Sequence, residues 1–465
     1  MAESLIISVS GMRGVIGDNL TPIIAAQYGC AFGTFLRDVV AGEDRRLRVC
    51  VGRDSRVSGQ MLLSAMTAGL CSVGVDVVDL GLVTTPCVGI MLRELGCDGG
   101  IVITASHNPL PYNGIKLLLG NGMAPPATTA ARIKQAFLDG QACYVDSVHC
   151  GTVSRNEETD RVHIDKVLAT IDARRTAAKR YRTVLDSVNG AGARVAKKLL
   201  AEMGCEVIAM NDEPTGLFAH GAEPIAANLV DLCRRVRQEK ADLGFAQDPD
   251  ADRLAIVDEN GVYIGEEYTL ALAAKYVFSK QGGTAAANLS TSRMIDDIAG
   301  RAGAKVLRTP VGEAHVANAM IEHGCVIGGE GNGGVIDLRV GPIRDSLVGM
   351  VLVLQLMAET GKSISGLVAE IGGYSMHKDK FSADSQQARE IMKRAAERFP
   401  DAVANTADGL RLDFPDAWIH LRTSNTEPVM RIIVEAKDEP AAKRYIQAVS
   451  EIRQTVLEGA ASCSE

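Results

Sequence analysis

A serine at the end of a short apolar run is the first residue whose position suggests chemistry. Residues 101–109 read Ile-Val-Ile-Thr-Ala-Ser-His-Asn-Pro, which predicts a buried strand that stops in a tight turn. We expect Ser106 on that turn with its hydroxyl exposed. A serine hydroxyl needs a neighbouring base or positive charge to act as a nucleophile, and His107 and Lys116 lie close in sequence. The alternative is an ordinary serine turn that closes a strand.

Three aspartates form the second candidate site. Asp248, Asp250 and Asp252 alternate along a segment between two apolar runs, and Arg253 follows them. Hard cations such as Mg²⁺ take oxygen ligands, and three crowded carboxylates repel one another without a cation. The segment lacks the downstream glutamate of an EF-hand, so the ion would keep open positions for a phosphoryl oxygen. A solvated acidic turn is the alternative.

A glycine-rich stretch at residues 326–334 carries Glu330 and Asn332. The neighbouring glycines leave little bulk over these two side chains. A carboxylate and an amide suit sugar hydroxyls, which both donate and accept hydrogen bonds. A plain glycine turn is the alternative interpretation.

Two further stretches could bind an anion. Residues 8–14 predict a strand that runs into a glycine loop with Arg13 at its tip, where backbone amides and a guanidinium suit an anion. Near the C-terminus, a strand delivers polar side chains onto one loop before a second strand, as expected of a phosphate clamp: Arg422, Ser424, Asn425 and Thr426. A hairpin rich in Asn, Thr and Pro is the alternative for this second stretch.

A repeated pattern of elements must position these residues. The order strand, polar loop, helix, glycine, strand begins near residues 47, 182 and 284, and each copy predicts one βαβ unit. Three such units in tandem suggest three related α/β domains, whereas the last quarter of the chain has a different pattern. In α/β sheets, functional groups gather on loops that leave the carboxyl ends of strands, where these polar stretches lie.

Composition excludes some classes of partner. The 465 residues carry a net charge of −8, which argues against nucleic acid or an anionic membrane as a partner. No apolar run approaches the ~18 residues of a membrane span. The eleven cysteines form no C-x-x-C pair, so we expect reduced thiols and a cytoplasmic location.

Together these motifs resemble the α-D-phosphohexomutase superfamily along essentially the whole chain. The stretches that carry the resemblance are Ser-Gly-Met-Arg-Gly, Thr-Ala-Ser-His-Asn-Pro, Asp-Pro-Asp-Ala-Asp-Arg, Gly-Glu-Gly-Asn-Gly-Gly and Arg-Thr-Ser-Asn-Thr-Glu-Pro. The resemblance implies an α/β fold: three tandem related α/β domains with mixed sheets and a smaller C-terminal α+β domain around a central cleft. We expect these domains at residues 1–155, 156–258, 259–371 and 372–465.

The resemblance also implies a reaction. Ser106 would carry a phosphoryl group against Mg²⁺ held by the three aspartates, and would exchange it with a hexose phosphate through a hexose 1,6-bisphosphate. Lys116, His107 and Arg13 are then candidates for acid/base or charge stabilisation, with Lys116 ranked first. Substrate binding would involve the remaining candidates: Arg253, Glu330, Asn332, Arg422, Ser424, Asn425, Thr426 and Arg431.

The choice of hexose stays open at this level. Residues 311–313, Val-Gly-Glu, resemble phosphoglucosamine mutases, which favours glucosamine phosphate over the alternatives, glucose and mannose phosphates. Many relatives carry a histidine where Gly334 stands here, which leaves the sugar contacts open. A metal-dependent phosphatase and a non-catalytic sugar-phosphate binder are the alternatives from other classes, and the oligomeric state is not indicated.

Overall fold

Four β-sheets follow one another along the chain in the computed structural model, which describes residues 5–40, 45–423 and 429–461. The first three sheets mix parallel and antiparallel strands, and the fourth is antiparallel throughout. This confirms the predicted fold class. Each sheet lies within one of the four ranges expected for the domains, which we number I to IV.

Domain I contains a seven-stranded sheet. Its strands are β1 (Ile6–Ser8), β2 (Gly11–Val15), β3 (Arg48–Arg53), β4 (Asp76–Leu82), β5 (Gly99–Ile103), β6 (Tyr112–Leu119) and β7 (Val153–Arg155). Its helices are α1 (Pro22–Val39), α2 (Gly59–Ser72), α3 (Thr85–Glu94) and α4 (Ala127–Leu138). The strand order is β1-β2-β6-β5-β3-β4-β7, and β3 runs parallel to β4, as the first predicted βαβ unit requires.

The predicted loop position of Arg13 is wrong. Arg13 lies inside β2, opposite Ile6 on one side and Gly114 on the other. The chain turns earlier, between Ser8 and Gly11, where Gly11 has a φ of +104° and leaves no room for a side chain against Ile115 O. The glycines of this stretch therefore permit close strand pairing rather than an anion-binding loop.

Domain II contains a four-stranded sheet. Its elements are α5 (Thr159–Leu168), α6 (Ala173–Ala177), β8 (Arg182–Asp186), α7 (Gly192–Glu202), β9 (Glu206–Met210), a 3₁₀ turn (Ala226–Asn228), α8 (Val230–Glu239), β10 (Leu243–Gln247) and β11 (Leu254–Val257). The strand order is β11-β10-β8-β9. Strands β8 and β9 are parallel, which confirms the second predicted βαβ unit.

Domain III repeats this plan. Its elements are α9 (Glu267–Lys280), β12 (Thr284–Asn288), α10 (Met294–Arg301), β13 (Lys305–Thr309), α11 (Glu313–His323), β14 (Ile327–Glu330), β15 (Gly334–Ile336), α12 (Ser346–Thr360) and α13 (Ile364–Ile371). The strand order is β13-β12-β14-β15, with β12 parallel to β13 as the third predicted unit requires. No single helix in the described ranges is both long and apolar enough to cross a membrane; α12 and α13 pass that test only as a pair bent by 89°.

Domain IV is built on an antiparallel sheet. Its elements are β16 (Ser375–Ser382), α14 (Ser385–Arg398), β17 (Val403–Asn405), β18 (Leu410–Asp413), β19 (Ala417–Thr423), β20 (Val429–Ala436) and α15 (Glu439–Ala461). The strand order is β16-β20-β19-β18-β17. Strand β16 runs through a polar stretch that carries no strand pattern in the sequence. It is an edge strand with several exposed side chains, which explains the polar composition.

Domains II and III share one apolar core. Helix α12 is buried from Ser346 to Met357, and its side chains join a cluster with residues of α5, α7, β10 and α9. Burial of this much apolar surface opposes relative movement of the two domains. The loops at the ends of β10 and β14 are therefore held in a fixed relation.

A buried ion pair reinforces this interface. His163 on α5 has Nε2 2.6 Å from Asp345 Oδ2, and Asp345 also caps α12 by accepting a hydrogen bond from Leu347 N. Burial alone would lower the pKa of His163, but the Asp345 carboxylate raises that pKa to about 10. Cys87 on α3 faces the same imidazole ring. His163 is therefore positively charged at neutral pH.

We expect His163→Gln to lower the melting temperature near neutral pH, because it removes a charged hydrogen bond worth about 1.5–3 kcal/mol. The pKa of His163 is higher in the folded than in the unfolded chain. Its stabilisation is thus complete below about pH 6.5 and is lost as the pH rises through about 10. Melting curves of wild type and variant should converge toward the alkaline end.

The matched control is His149→Gln, which removes an exposed pair with Asp146 and should leave the melting temperature nearly unchanged. A difference between wild type and His163→Gln that stayed constant from neutral pH to about pH 10 would contradict the assigned charge.

Candidate functional site

The turn after β5 places Ser106 against the aspartates of domain II. Its Oγ lies 3.0 Å from Asp248 Oδ2 and 3.2 Å from His107 Nδ1. The expected exposure of the hydroxyl is wrong, since Ser106 is only 5% exposed. The segment between β10 and β11 covers it, a contact between residues 142 positions apart that no local pattern indicates. The structure thus brings the first two predicted sites together.

Arg56 holds this turn in shape. Ser106 has a φ of +48°, a conformation that a residue with a side chain adopts only when its surroundings impose it. The buried Arg56 guanidinium donates to four backbone oxygens around it, those of Ser106, Asn108, Pro109 and Tyr112. Its remaining contacts are an ion pair with Asp54 and the ring of Phe218 at 4.9 Å. Sequence reasoning missed this role, although a charged Arg-Asp-Ser-Arg stretch at a strand end was its signal.

The three aspartates form a compact oxygen-rich site. One carboxylate oxygen from each of Asp248, Asp250 and Asp252 lies within 4.8 Å of the others, and all three residues are buried. Asp250 Oδ1 and Asp252 Oδ1 have no hydrogen-bond partner among the described residues. Burial raises the pKa of Asp248 well above its usual range, and repulsion from Asp252 and Asp250 adds to this. Three buried carboxylates this close together, two of them with an oxygen that lacks a hydrogen-bond partner among the described residues, are a donor set that fits a hard divalent cation.

Domain I supplies the groups that hold Asp250 in place. Thr85, in the first turn of α3, donates to Asp250 through both its hydroxyl (2.6 Å to Oδ2) and its backbone N–H. Lys116 Nζ donates to Asp250 Oδ2 at 2.7 Å and lies 3.8 Å from Asp252 Oδ2. Burial by itself would lower the pKa of Lys116, but these two carboxylates raise it. Lys116 is thus a positively charged group beside two of the three aspartates.

Other polar groups surround the serine turn. Arg253 Nη1 donates to Glu223 Oε1 at 3.1 Å, and His107 Nε2 lies 3.9 Å from the same oxygen. Arg13 donates to Asn108 Oδ1 at 3.0 Å. Desolvation, then the charges of Arg253 and Arg13, lower the pKa of His107 to about 3, so its imidazole is neutral at pH 7. A cavity of about 730 Å³ opens here, between residues 107–111 and residues 218–228.

Glu330, at the end of β14, is almost fully buried. Its Oε1 accepts hydrogen bonds from Asn288 Nδ2 and Gly312 N, and its Oε2 accepts from Arg344 Nη1 and Asn332 Nδ2. These four bonds use the four acceptor positions of a carboxylate. In this conformation, a sugar hydroxyl could bind Glu330 only by displacing one of these donors, whereas Asn332 is less buried.

Arg344 connects three of the motifs. Its Nη2 donates to Asp252 Oδ2 at 2.5 Å, its Nη1 to Glu330 Oε2 at 2.5 Å and its Nε to Glu313 Oε2 at 2.9 Å. Sequence reasoning missed Arg344. An Arg-Asp pair before an apolar run is typical of the beginning of a helix, and Asp345 does cap α12. Only the tertiary structure shows that the preceding arginine faces three carboxylates.

The predicted phosphate clamp is described only in part. Arg422 and Arg431 lie directly opposite each other on β19 and β20. Arg422 Nε is 3.3 Å from Asp408 Oδ2, and that carboxylate also accepts a hydrogen bond from Val311 N of domain III. Ser424, Asn425 and Thr426 lie outside the described residues. The two arginines thus concentrate positive charge at one end of this hairpin.

The chain is similar to proteins of one family over nearly its whole length. Models of the phosphoglucomutase/phosphomannomutase family match residues 5–142, 161–261 and 265–374 as alpha/beta/alpha domains I, II and III, and residues 385–452 as the C-terminal domain. A phosphoglucomutase/phosphomannomutase of Thermococcus kodakarensis is 39% identical over 97% of this chain and 98% of its own. A probable phosphoglucosamine mutase of Methanopyrus kandleri is 38% identical over 93% and 94%.

A solved structure agrees with these sequence matches. A phosphoglucomutase/phosphomannomutase family protein of Burkholderia thailandensis superimposes with a TM-score of 0.86 at 28% identity, covering 98% of this chain and 99% of its own. With the same four-domain architecture, and with a serine turn packed on an aspartate triad, this chain belongs to the phosphoglucomutase/phosphomannomutase family of phosphohexomutases.

Proposed function

We propose that this phosphohexomutase moves a phosphoryl group between O6 and O1 of glucosamine phosphate, through a phosphorylated Ser106 and a hexose 1,6-bisphosphate. The observation that carries the proposal is the 3.0 Å contact between Ser106 Oγ and Asp248 Oδ2. This contact joins the Ser106 hydroxyl of domain I to the aspartate triad of domain II, which supports Ser106 as the nucleophile. A phosphate on Ser106 would therefore lie beside carboxylates that need a cation.

Mg²⁺ is the cation that this oxygen-only donor set favours, with Asp248, Asp250, Asp252 and the phosphorylated Ser106 as its ligands from the protein. When bound, it would supply positive charge that offsets the charge on the transferring phosphoryl group. Lys116 adds a fixed positive charge next to the same aspartates, because its Nζ is within 4 Å of two of them. Both contributions act on charge that develops during transfer.

The residues around Ser106 would orient the acceptor hydroxyl. Phosphoryl transfer requires the attacking and leaving oxygens to be roughly in line with phosphorus, so positioning is a large part of catalysis. Lys116, Arg13 and the neutral His107 are the groups that we propose to donate or accept a proton or to offset charge near that hydroxyl, with Lys116 first. Arg253 would contact the phosphoryl group from the metal turn.

The far end of the substrate would be held by domain IV. We assign Arg422 and Arg431, together with Ser424, Asn425 and Thr426, to the non-reacting phosphate, because guanidinium groups bind phosphate through charge-assisted hydrogen bonds. Asn332 would face the sugar hydroxyls directly, and Glu330 would reach them by exchanging one of its four present donors. Turning the bisphosphate over in the cleft presents its other phosphate to Ser106, so one clamp serves both halves of the reaction.

Glucosamine is proposed as the sugar because Glu313 lies beside the site. The Oε2 atom of Glu313 accepts two hydrogen bonds from Arg344, and the side chain of Glu313 is 24% exposed. A partly exposed carboxylate at this position suits the ammonium group of glucosamine. Glucose or mannose phosphate is the second candidate, supported by the 39% identity to a phosphoglucomutase/phosphomannomutase.

We expect Ser106→Ala to abolish nearly all turnover, since it removes the group that carries the phosphate. Intact mass spectrometry should find one phosphate on part of the wild-type protein and none on the variant, with an unchanged circular dichroism spectrum. Ser64→Ala, on an exposed position of α2, is the control and should behave as wild type. Wild-type turnover by Ser106→Ala would refute the covalent mechanism.

Removal of divalent cations should abolish activity, and Mg²⁺ should restore it, because buried aspartates without a counter-charge repel the incoming phosphate. Asp250→Asn should also weaken Mg²⁺ binding measured by calorimetry on the free enzyme, which does not depend on turnover. The exposed Asp146→Asn is the control. Full activity after exhaustive chelation would show that the aspartates serve another purpose.

Glu313→Gln tests the choice of sugar. Losing the carboxylate charge should reduce kcat/KM for glucosamine phosphate about tenfold more than for glucose phosphate, as expected for one charge-assisted hydrogen bond. The measurement is kcat/KM on glucosamine, glucose and mannose phosphates side by side, with Glu322→Gln on the exposed face of the same helix as control. Equal losses on all three sugars would argue against glucosamine specificity through Glu313.

A further inference from the structure

The sugar loop (residues 330–334) and the metal loop (residues 248–253) are joined through one side chain. Arg344 donates to Glu330 in the sugar loop and to Asp252 in the metal loop, each at 2.5 Å. A third carboxylate, that of Glu313, accepts hydrogen bonds from the Nε and the backbone N–H of Arg344. The guanidinium is planar and rigid, so the two loops cannot shift relative to each other without breaking one of these bonds.

Gly334 makes room for this side chain. A Cβ atom at position 334 would lie 2.2 Å from Arg344 Cδ and 2.8 Å from its Cγ. The φ of Gly334 is not in the left-handed region, since the residue is part of β15, so its backbone would accept alanine without strain. A side chain there would collide with Arg344, whose head is held by three carboxylates and cannot simply swing aside.

The charges around Arg344 show why this side chain is needed to hold the two loops together. Glu330, Glu313 and Asp252 come from three different segments and would repel one another if Arg344 left. Lys116 reaches Asp250 and Asp252 from domain I, but neither of its ion pairs includes Glu330. A backbone hydrogen bond from Leu254 N to Gly333 O also joins the two segments, but it does not reach the carboxylates.

We propose that Arg344 is a positioning residue that fixes the sugar loop relative to the metal loop, and that Gly334 is the residue that permits it. The sugar hydroxyl would then be held in line with the phosphate on Ser106. This inference rests on the proposed mutase function. Misalignment should let water compete: a water oxygen bonds to phosphorus, the bond to Ser106 Oγ breaks, Oγ takes up a proton and inorganic phosphate leaves.

The test uses four variants of the full-length enzyme: Arg344→Ala, Gly334→Ala, the double variant, and Gly282→Ala as control. Gly282 lies in the same domain and is not in the left-handed region. A Cβ atom at position 282 would meet no other described residue within 4 Å beyond its chain neighbours, so the control changes glycine to alanine without a collision. Three quantities are measured: isomerised product, inorganic phosphate released, and hydrogen exchange of residues 248–253.

We expect Gly334→Ala to lower kcat by roughly ten- to a hundredfold, the cost of misplacing reacting groups by about 1 Å. Released phosphate per isomerised product should rise, and exchange should increase in the metal loop although the substitution is in the sugar loop. The double variant should resemble Arg344→Ala alone, because alanine at position 344 has no Cγ or Cδ to collide with. If Arg344 and Gly334 only stabilised the fold, their substitution would lower stability without changing the ratio of released phosphate to isomerised product.

Two outcomes would overturn the inference. The first is that Gly334→Ala keeps the kcat and the product ratio of the wild type. The second is that the fold-losses in kcat of the two single variants multiply in the double variant. If Arg344→Ala fails to fold, Gly334→Ala against Gly282→Ala still decides. If the wild-type enzyme isomerises no hexose phosphate, the proposed function fails, and the exchange measurement alone then decides whether Arg344 couples the loops.

Discussion

The burial of three aspartates on one turn is the constraint on which the rest of the site depends. Burial and mutual repulsion make the charged forms of Asp248 and its neighbours costly unless positive charge is brought to them. Lys116 arrives from β6 of domain I and Arg344 from the segment before α12 of domain III, and both are distant in sequence from the aspartates. The site therefore exists only where three domains meet, and its electrostatics help to define how they are arranged.

A second constraint is the strained turn at Ser106. Its positive φ is maintained by the hydrogen bonds of Arg56 to the surrounding carbonyl oxygens, and Arg56 in turn packs against Phe218 of domain II. The same loop of domain II supplies Glu223, which contacts Arg253. Domain II thus supports the Ser106 turn from two sides, through the aspartate turn and through this loop, while the core shared with domain III keeps domain II itself in place.

Much of the architecture could be predicted from local sequence. The three βαβ units follow from hydrophobic periodicity and glycine placement, because those patterns report which face of an element is buried. The last quarter was recognised only as different, and its α+β fold was implied by the family resemblance. Ser106 and the three aspartates were proposed from their residue types and strand-end positions, and Lys116 from its closeness to Ser106 in the sequence. Arg13 was placed wrongly, since a glycine that allows close strand pairing looks the same in sequence as a glycine in a loop. Strand β16 was missed because its polar residues face water at a sheet edge.

What the sequence by itself determined was which residues to propose for the chemistry: a serine for the phosphoryl group, oxygen ligands for a hard cation and arginines for a phosphate. The tertiary structure decided which groups meet. The burial of Ser106, the saturated hydrogen bonding of Glu330 and the triple contact of Arg344 all join residues far apart in the chain. Such contacts depend on how whole domains pack, and local residue patterns carry no record of the partner that lies across a domain boundary.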